Sequence, residues 1–280
     1  MRKEFIATLL MLLFFYSAAI ADDNNDVNKA MRYIKAYPDF FIAYENGYLI
    51  TRDGEKILFD DGEQKDYDRM ITNTSIGDDA FDPKDAFHWN YPAGKEIPTL
   101  ENPPEGDPGR IRPSVIFRYM YGSSKSDYIR KVRSVEWVGS KKILVTTING
   151  VDKALERVAL EIKALPVDKK RCLNRIVFNV RGGPYGFYDR PVRGYALRES
   201  GHAYGFAVDI NGNDSYFIGC HKGEPYRYRN NVPRFLVDIF EKNGFIWGGR
   251  WHDYDAIHFE YRPEMFITDK KEESSTADLK

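Results

Sequence analysis

Histidines and carboxylates are concentrated in two short stretches of the second half of the chain, residues 200–209 and 251–260. The candidate metal ligands are His202 and Asp209 in the first stretch and His258, with His252 as its competitor, in the second, which also contains Asp255. Histidine nitrogens and one carboxylate oxygen suit Zn²⁺, and three protein ligands leave a fourth position open for water, as in catalytic zinc sites. Zinc lowers the pKa of that water to about 7, and a nearby unligated carboxylate can take its proton. Asp255 fits this second role by position.

Short strands would have to position these groups. If residues 205–210 form a strand, Gly205, Ala207 and Asp209 share one face, so the carboxylate projects over a floor of small side chains. His202 would lie on the opposite face of a straight strand. We therefore expect a turn around residues 203–205 that swings its imidazole back.

The second stretch has the alternation of a strand that follows a turn. His258 and Glu260 share one strand face, and Asp255 lies in the turn before them. His252 is the main competitor of His258 as a metal ligand. The two stretches together predict a three-ligand site built from two strands.

The composition excludes several other classes of protein. Lys and Arg number 41 against 42 Asp and Glu, and a net charge of −1 argues against a nucleic-acid binder. Only 2 cysteines and 5 histidines are present, so a multi-cysteine zinc module is excluded. The motifs of serine-type carboxypeptidases, α/β-hydrolases, His-Glu-x-x-His metalloproteases and P-loop proteins are also missing from the sequence.

The first 21 residues have the pattern of an export signal. Arg2 and Lys3 precede an apolar run over residues 5–16, and Ala19-Ile20-Ala21 forms a small-x-small cleavage site. An uncleaved N-terminal anchor is the alternative. We expect a periplasmic or extracellular protein with no membrane segment after signal cleavage. In that oxidising compartment Cys172 and Cys220 could pair, which the sequence leaves open.

The rest of the chain divides by pattern into a meander, an irregular segment, a mixed region and a tail. Residues 40–60 hold three short β-like runs separated by Asn46-Gly47 and Asp53-Gly54, which predicts a β-meander. Residues 61–113 contain seven prolines and are expected to be an extended segment wrapped over a body, as a linker or a lid. Helical periodicity follows at residues 151–162 and 235–240, with β-like runs at 176–180, 206–210 and 256–261. The tail, residues 269–280, is expected to be disordered.

The two stretches together resemble the signature of a known family. Ser200-x-His202-x-x-Gly205-x-Ala207-x-Asp209 followed by Asp255-x-x-His258-Phe-Glu260 is similar to that of the zinc D-alanyl-D-alanine carboxypeptidases and L-alanyl-D-glutamate endopeptidases. The approach Trp247-Gly-Gly-Arg-Trp251 resembles the VanY-like branch, and Asp107-Pro-Gly-Arg-Ile-Arg followed by Met120-Tyr-Gly resembles exported bacterial members.

The resemblance implies a fold and a division into domains. We expect an α+β fold of the hedgehog and D,D-peptidase type, in which a small antiparallel sheet with flanking helices carries the zinc site. The expected units are a signal peptide (1–21), the β-meander with the extended segment (22–113), the VanY-like peptidase domain (114–268) and the tail (269–280).

The resemblance also implies roles for individual residues. Zinc would be held by His202, Asp209 and His258, with Asp255 as general base. An arginine upstream would bind the substrate carboxylate or the oxyanion; Arg190 and Arg198 match the spacing best, and Arg193 is a third candidate. The candidate substrate-binding residues are Ser200, Tyr204, Trp247 and Trp251. The alternative role of Ser200 is to orient a metal ligand.

The function that the resemblance implies is that of an exported, monomeric zinc metallopeptidase acting on peptidoglycan stem peptides. It would act as a D-Ala-D-Ala carboxypeptidase or as an L-Ala-D-Glu endopeptidase. The alternative is a non-catalytic zinc-containing module of the same fold that binds the cell wall or a protein. A purely structural zinc site has no need of an unligated base, so Asp255 favours the enzyme.

Overall fold

The computed structural model describes residues 25–174, 177, 185–210, 218 and 225–268. The expected signal peptide, most of the run 176–180, Cys220 and the tail lie outside these residues, and Cys172 is exposed. Within the described residues the fold is α+β, with short helices around small antiparallel sheets. None of the helices in this part of the chain combines the length and the apolar character needed to cross a membrane.

The helices and strands alternate irregularly along the chain. The helices are α1 (25–36), α2 (Tyr67–Thr72), α3 (Ser114–Tyr121), α4 (Lys125–Ile129), α5 (Val151–Ala164), α6 (Val167–Cys172), α7 (Gly201–Tyr204) and α8 (Arg234–Lys242). The strands are β1 (Phe41–Glu45), β2 (Tyr48–Thr51), β3 (Lys56–Leu58), β4 (Val132–Glu136), β5 (Lys142–Thr146), β6 (Pro191–Val192), β7 (Tyr195–Glu199), β8 (Ala207–Asp209), β9 (Phe245–Trp247) and β10 (His258–Tyr261).

The β-meander that the turn dipeptides predict is present. Strands β1, β2 and β3 pair in that order, all antiparallel. Asn46 and Gly47, with φ values of 51° and 82°, form the first turn, which is why an Asn-Gly pair stands there. Helix α1 packs behind the meander through Tyr33, whose ring lies 6.0 Å from that of Phe41.

The proline-rich segment is mostly irregular but is fixed by polar contacts. It contains α2 and two short 3₁₀ helices, at residues 78–80 and 83–87, which the proline content did not predict. Lys65 donates hydrogen bonds to Asp61, Asp82 and Asp85 at 2.7–2.9 Å and so ties the start of the segment to its middle. The end of the segment, residues 106–112, lies against the loop before β10.

A three-stranded sheet carries the candidate site. Its order is β8, β10, β9, so β10 lies in the centre and pairs antiparallel with both neighbours. Helices α5 and α8 form where the apolar periodicity predicts them, and α8 begins after Pro233 and ends just before Asn243. Phe240 of α8 stacks on Phe259 of β10 at 3.8 Å, which buries one side of the sheet.

Candidate metal centre and cleft

Three predicted metal ligands converge in the structure. Oδ1 of Asp209 lies 3.2 Å from Nε2 of His202 and 2.9 Å from Nδ1 of His258. The two imidazole nitrogens are 3.2 Å apart. The three donor atoms therefore form a nearly equilateral triangle, although 49 residues separate Asp209 from His258.

The size of this triangle fits a zinc ion. Zinc binds nitrogen and oxygen ligands at about 2.0–2.1 Å, so neighbouring ligand atoms of a tetrahedral site lie about 3.3 Å apart. The three observed separations approach that edge length without any rearrangement of the backbone. Two imidazoles and one carboxylate are also a donor set that zinc prefers.

Local sequence explains how His202 reaches this triangle. Ser200 begins the one-turn helix α7, and its hydroxyl accepts a hydrogen bond from the His202 amide at 3.3 Å. Gly205 ends the helix at φ 82°, a value that suits glycine. The expected turn is therefore a short helix, and it places His202 and Asp209 on the same side.

The register of the sheet supplies the other two ligands. Asp209, the last residue of β8, is directly opposite His258, the first residue of β10. Side chains of directly opposed residues in an antiparallel pair lie on the same face. This pairing brings together the two halves of the motif.

Each imidazole is held by its second nitrogen. Nδ1 of His202 lies 2.7 Å from the carbonyl oxygen of Gly186, and Nε2 of His258 lies 2.9 Å from Oε1 of Glu260. Such contacts fix the tautomer and the ring orientation of a metal-binding histidine. Gly186 must be small, since a Cβ there would lie 2.0 Å from the carbonyl oxygen of Leu144.

Glu260 is fully buried and pairs with two arginines. Arg112 donates from Nε to Oε2 at 3.2 Å and from its terminal nitrogen to Oε1, and Arg262 lies 3.7 Å from Oε2. The motif contained Glu260, but its role as the partner of His258 was missed. The alternation that puts the two side chains on one strand face could have indicated it.

Charges of the cluster favour a bound cation. Burial alone would raise the pKa of Asp209, but the two histidines outweigh it and hold that pKa well below its usual range. Burial lowers the pKa of His258, yet hydrogen bonds to Asp209 and Glu260 raise it to about 10. The surroundings thus stabilise a proton on this histidine, and the same negative charge would stabilise a divalent ion in its place.

Asp255 lies in the turn before β10 and is held by its backbone. Its amide donates to Gly248 at 2.9 Å, and its carbonyl accepts from the His258 amide at 3.1 Å. Oδ1 is buried and has no hydrogen-bond partner among the described residues. Burial, followed by the negative charge of Asp209, raises the pKa of Asp255 to about 6. This carboxylate can therefore exchange a proton near neutral pH.

A cleft of about 870 Å³ opens beside His202 and Asp209. Its walls come largely from the hairpin β6–β7 and the residues before it. The lining residues include Tyr185, Tyr188, Arg190, Arg193, Tyr195 and Ile257. Arg190 therefore lies in the same cleft as two of the predicted ligands, where a guanidinium could bind a carboxylate.

Arg198 points away from this cleft. Its guanidinium donates to the backbone carbonyls of Met70, Ile71 and Ile76, at 2.5–3.1 Å, and its side chain is buried. The structure thus uses Arg198 to attach β7 to the proline-rich segment. It does not bring Arg198 to the predicted ligands.

The four candidate substrate-binding residues are also not exposed in the cleft. Ser200 caps α7, as the orienting alternative proposes. Tyr204 packs between Tyr121 and Phe206, and Trp247 donates from its indole to the carbonyl of Ala256 at 2.8 Å. Trp251 lies 5.5 Å from the His258 ring but is 2% exposed, and its indole donates to Pro108. These aromatic residues support the site from within the core.

The rival histidine does not reach the triangle. The side chain of His252 is 52% exposed, and its ring stacks on Tyr226. In the described residues, one further group of carboxylates is close enough to hold an ion, and it consists of Asp60, Asp61 and Asp82. All three carboxylates of that group already form ion pairs with Lys65 or Lys84.

Comparison with known proteins agrees with the geometry. Residues 194–261, about a quarter of the chain, match the family model for D-alanyl-D-alanine carboxypeptidase. No curated protein and no solved structure gives a significant match to the chain. The matched stretch contains His202, Asp209, Asp255 and His258. The chain is therefore similar to D-alanyl-D-alanine carboxypeptidase over the stretch that carries the three converging ligands.

Proposed function

We propose that the protein is an exported zinc metallopeptidase that hydrolyses peptidoglycan stem peptides. The observation that carries this proposal is the triangle of His202, Asp209 and His258, whose edges of 2.9–3.2 Å suit a tetrahedral zinc site beside an open cleft. The fold proposed for this region is that of the D,D-peptidases, and the branch proposed is the VanY-like one.

Separate residues bind the metal and transfer the proton in the proposed hydrolysis. Zinc, when bound by the three ligands, supplies Lewis acidity and lowers the pKa of water. Asp255 accepts the proton of the attacking water at its carboxylate and delivers it to the leaving amine. Its raised pKa, about 6, suits both steps, because the group can hold the proton between them.

Arg190 is proposed to bind the substrate carboxylate. Among the two arginines that match the family spacing, Arg190 lines the cleft, whereas the guanidinium of Arg198 is committed to backbone carbonyls. The tyrosines of the cleft offer flat apolar surfaces and hydroxyl groups to a peptide.

Digestion of purified peptidoglycan tests the proposal. The purified protein should carry about one zinc ion per chain, which metal analysis would measure. Mass spectrometry of the muropeptides should show the loss of a terminal D-Ala or the release of a peptide that begins with D-Glu. A zinc-loaded protein that binds muropeptides but leaves every peptide bond intact would favour the non-catalytic module.

A further inference from the structure

The end of the proline-rich segment is joined to the loop that carries Asp255. Oδ1 of Asp107 accepts a hydrogen bond from the Asp253 amide at 3.0 Å, and Arg110 donates to the Asp253 carbonyl at 2.7 Å. The carbonyl of Pro108 accepts from the Trp251 indole at 2.8 Å. Residues 106–112 thus run along the loop before β10 as a fixed part of the structure, rather than as a free linker.

Arg112 extends this contact to a metal ligand. Its guanidinium binds both carboxylate oxygens of Glu260, and Oε1 of Glu260 lies 2.9 Å from Nε2 of His258. The opposite ring nitrogen of His258 belongs to the ligand triangle. A continuous path of hydrogen bonds therefore leads from Arg112 through Glu260 to the predicted zinc site.

The charged groups of this path are buried and depend on each other for compensation. The side chains of Glu260 and Arg112 are 0% and 7% exposed, so neither charge is compensated by water. The second arginine near Glu260, Arg262, is 3.7 Å away and directs its Nε to Glu264. Arg112 is thus the arginine that donates hydrogen bonds to both oxygens of Glu260 and orients its carboxylate.

The position of that carboxylate fixes the orientation of the His258 ring. Oε1 of Glu260 lies against Nε2, so the ring is turned with Nδ1 toward Asp209 and His202. Without Arg112, the buried carboxylate would have to rotate or draw in water. Each of these changes would disturb the His258 ring.

We propose that Arg112, which belongs to the proline-rich segment outside the family-matched residues, is a positioning residue that acts on His258 through Glu260. The inference rests on the proposed function, because it gives His258 the role of a zinc ligand. It also gives residues 106–112 a role in the site, where the sequence indicates a linker or a lid.

Zinc affinity tests the proposal directly. The variants are Arg112→Met, Arg112→Lys and Glu260→Gln, and the matched control is Arg118→Met. Arg118 also pairs with a carboxylate, that of Asp79, but on the surface. We expect zinc to bind about 10- to 100-fold more weakly to Arg112→Met and Glu260→Gln, as chelator competition would measure. Arg112→Lys should regain part of the loss, and Arg118→Met should bind zinc as the unchanged protein does.

A purely structural role would give a different result. It would lower the melting temperature of the metal-free protein but leave the zinc affinity of the folded protein unchanged. Wild-type affinity in folded Arg112→Met overturns the proposal. If Arg112→Met does not fold, Arg112→Lys, which keeps the buried charge, provides the test. The proposal requires Arg112→Lys to bind zinc more weakly than the unchanged protein, and equal affinity overturns it.

The same measurements separate this inference from the proposed function. If the unchanged protein binds zinc but cleaves no stem peptide, the proposed activity fails and the affinities still test Arg112. If it cleaves the peptide and folded Arg112→Met retains both zinc affinity and kcat, the proposed activity stands and the positioning role fails.

Discussion

His258 and Asp209 face each other at the ends of two antiparallel strands, with Nδ1 of the imidazole 2.9 Å from Oδ1 of the carboxylate. Sheet register, rather than a loop, sets this distance. A ligand pair held in this way is pre-organised, since both backbones are fixed by ladder hydrogen bonds before an ion arrives.

The two histidines of the second stretch should respond differently to substitution. His258→Ala removes one corner of the triangle, and we expect it to lose zinc and activity. His252→Ala, the matched control, should keep both, because the side chain of His252 is 52% exposed and lies outside the triangle. Metal analysis after gel filtration measures the difference. Retention of zinc by His258→Ala together with its loss from His252→Ala would reverse the assignment.

Asp255→Asn should separate metal binding from catalysis. The variant should keep about one zinc ion, because Asp255 is not one of the three converging ligands. We expect kcat to fall by about 100-fold or more, the usual contribution of a general base. A variant with full kcat would contradict the role of Asp255 as the base.

The pH dependence of kcat/KM should contain an acid limb that belongs to Asp255. The base must be deprotonated, so activity should fall as the pH drops through its pKa, which burial and Asp209 raise to about 6. A bound zinc ion acts in the opposite direction, so the limb should lie at about pH 6 or lower. Rate profiles of the unchanged protein and of Asp255→Asn measure this. An identical acid limb in both would assign it to another group.

Arg190 and Arg198 should differ in the property that they affect. Arg190→Met should raise KM by about tenfold, equivalent to 1.4 kcal/mol, with little change in the melting temperature. Arg198→Met leaves three backbone carbonyls without their charged donor and should reduce the free energy of unfolding by about 2 kcal/mol or more. Steady-state kinetics and thermal melts of both variants test the contrast. A normal KM in Arg190→Met would exclude its role in carboxylate binding.

Asp78 should make stability depend on pH. Burial raises the pKa of this carboxyl group to about 6, although Arg112 and the Glu199 amide favour its charged form. A raised folded-state pKa adds stability below the unfolded pKa, near 4, and this stability is lost as the pH rises through about 6.

Asp78→Asn can still accept the Glu199 hydrogen bond without carrying a charge. Relative to this variant, the unchanged protein should lose about 2–3 kcal/mol of unfolding free energy between about pH 4 and pH 7. Urea unfolding at several pH values measures the difference. Parallel pH profiles would show that Asp78 titrates normally.

Sequence patterns predicted the parts of the site that depend on local periodicity. The alternation of His258 and Glu260, the turn that carries Asp255 and the need to swing His202 back follow from two-residue and turn spacing. The β-meander and helices α5 and α8 followed for the same reason, because dipeptides or an apolar stripe mark them.

Contacts between distant residues were not predictable in this way. Arg112 and Glu260 are 148 residues apart, and their pairing depends on how the proline-rich segment packs. The contacts of Arg198 were not predictable either, because its acceptors are backbone carbonyls, which every residue type carries. The sequence also does not show whether an aromatic residue near a motif lines a cleft or packs in the core. Tyr204 and Trp247 are of a residue type common in binding clefts, but both lie in the core.

Gly109, which approaches β9 at φ 85°, limits how this protein can be divided or recombined. A Cβ at that position would lie 2.4 Å from Cδ1 of Ile246, so the strap of residues 106–112 is fitted to the sheet at atomic contact. A chimera that transplanted residues 194–261 into a relative would leave behind Arg112, the strap and the carbonyls that hold Arg198. A functional chimera between homologues should therefore require residues 106–112 and the sheet to come from the same protein.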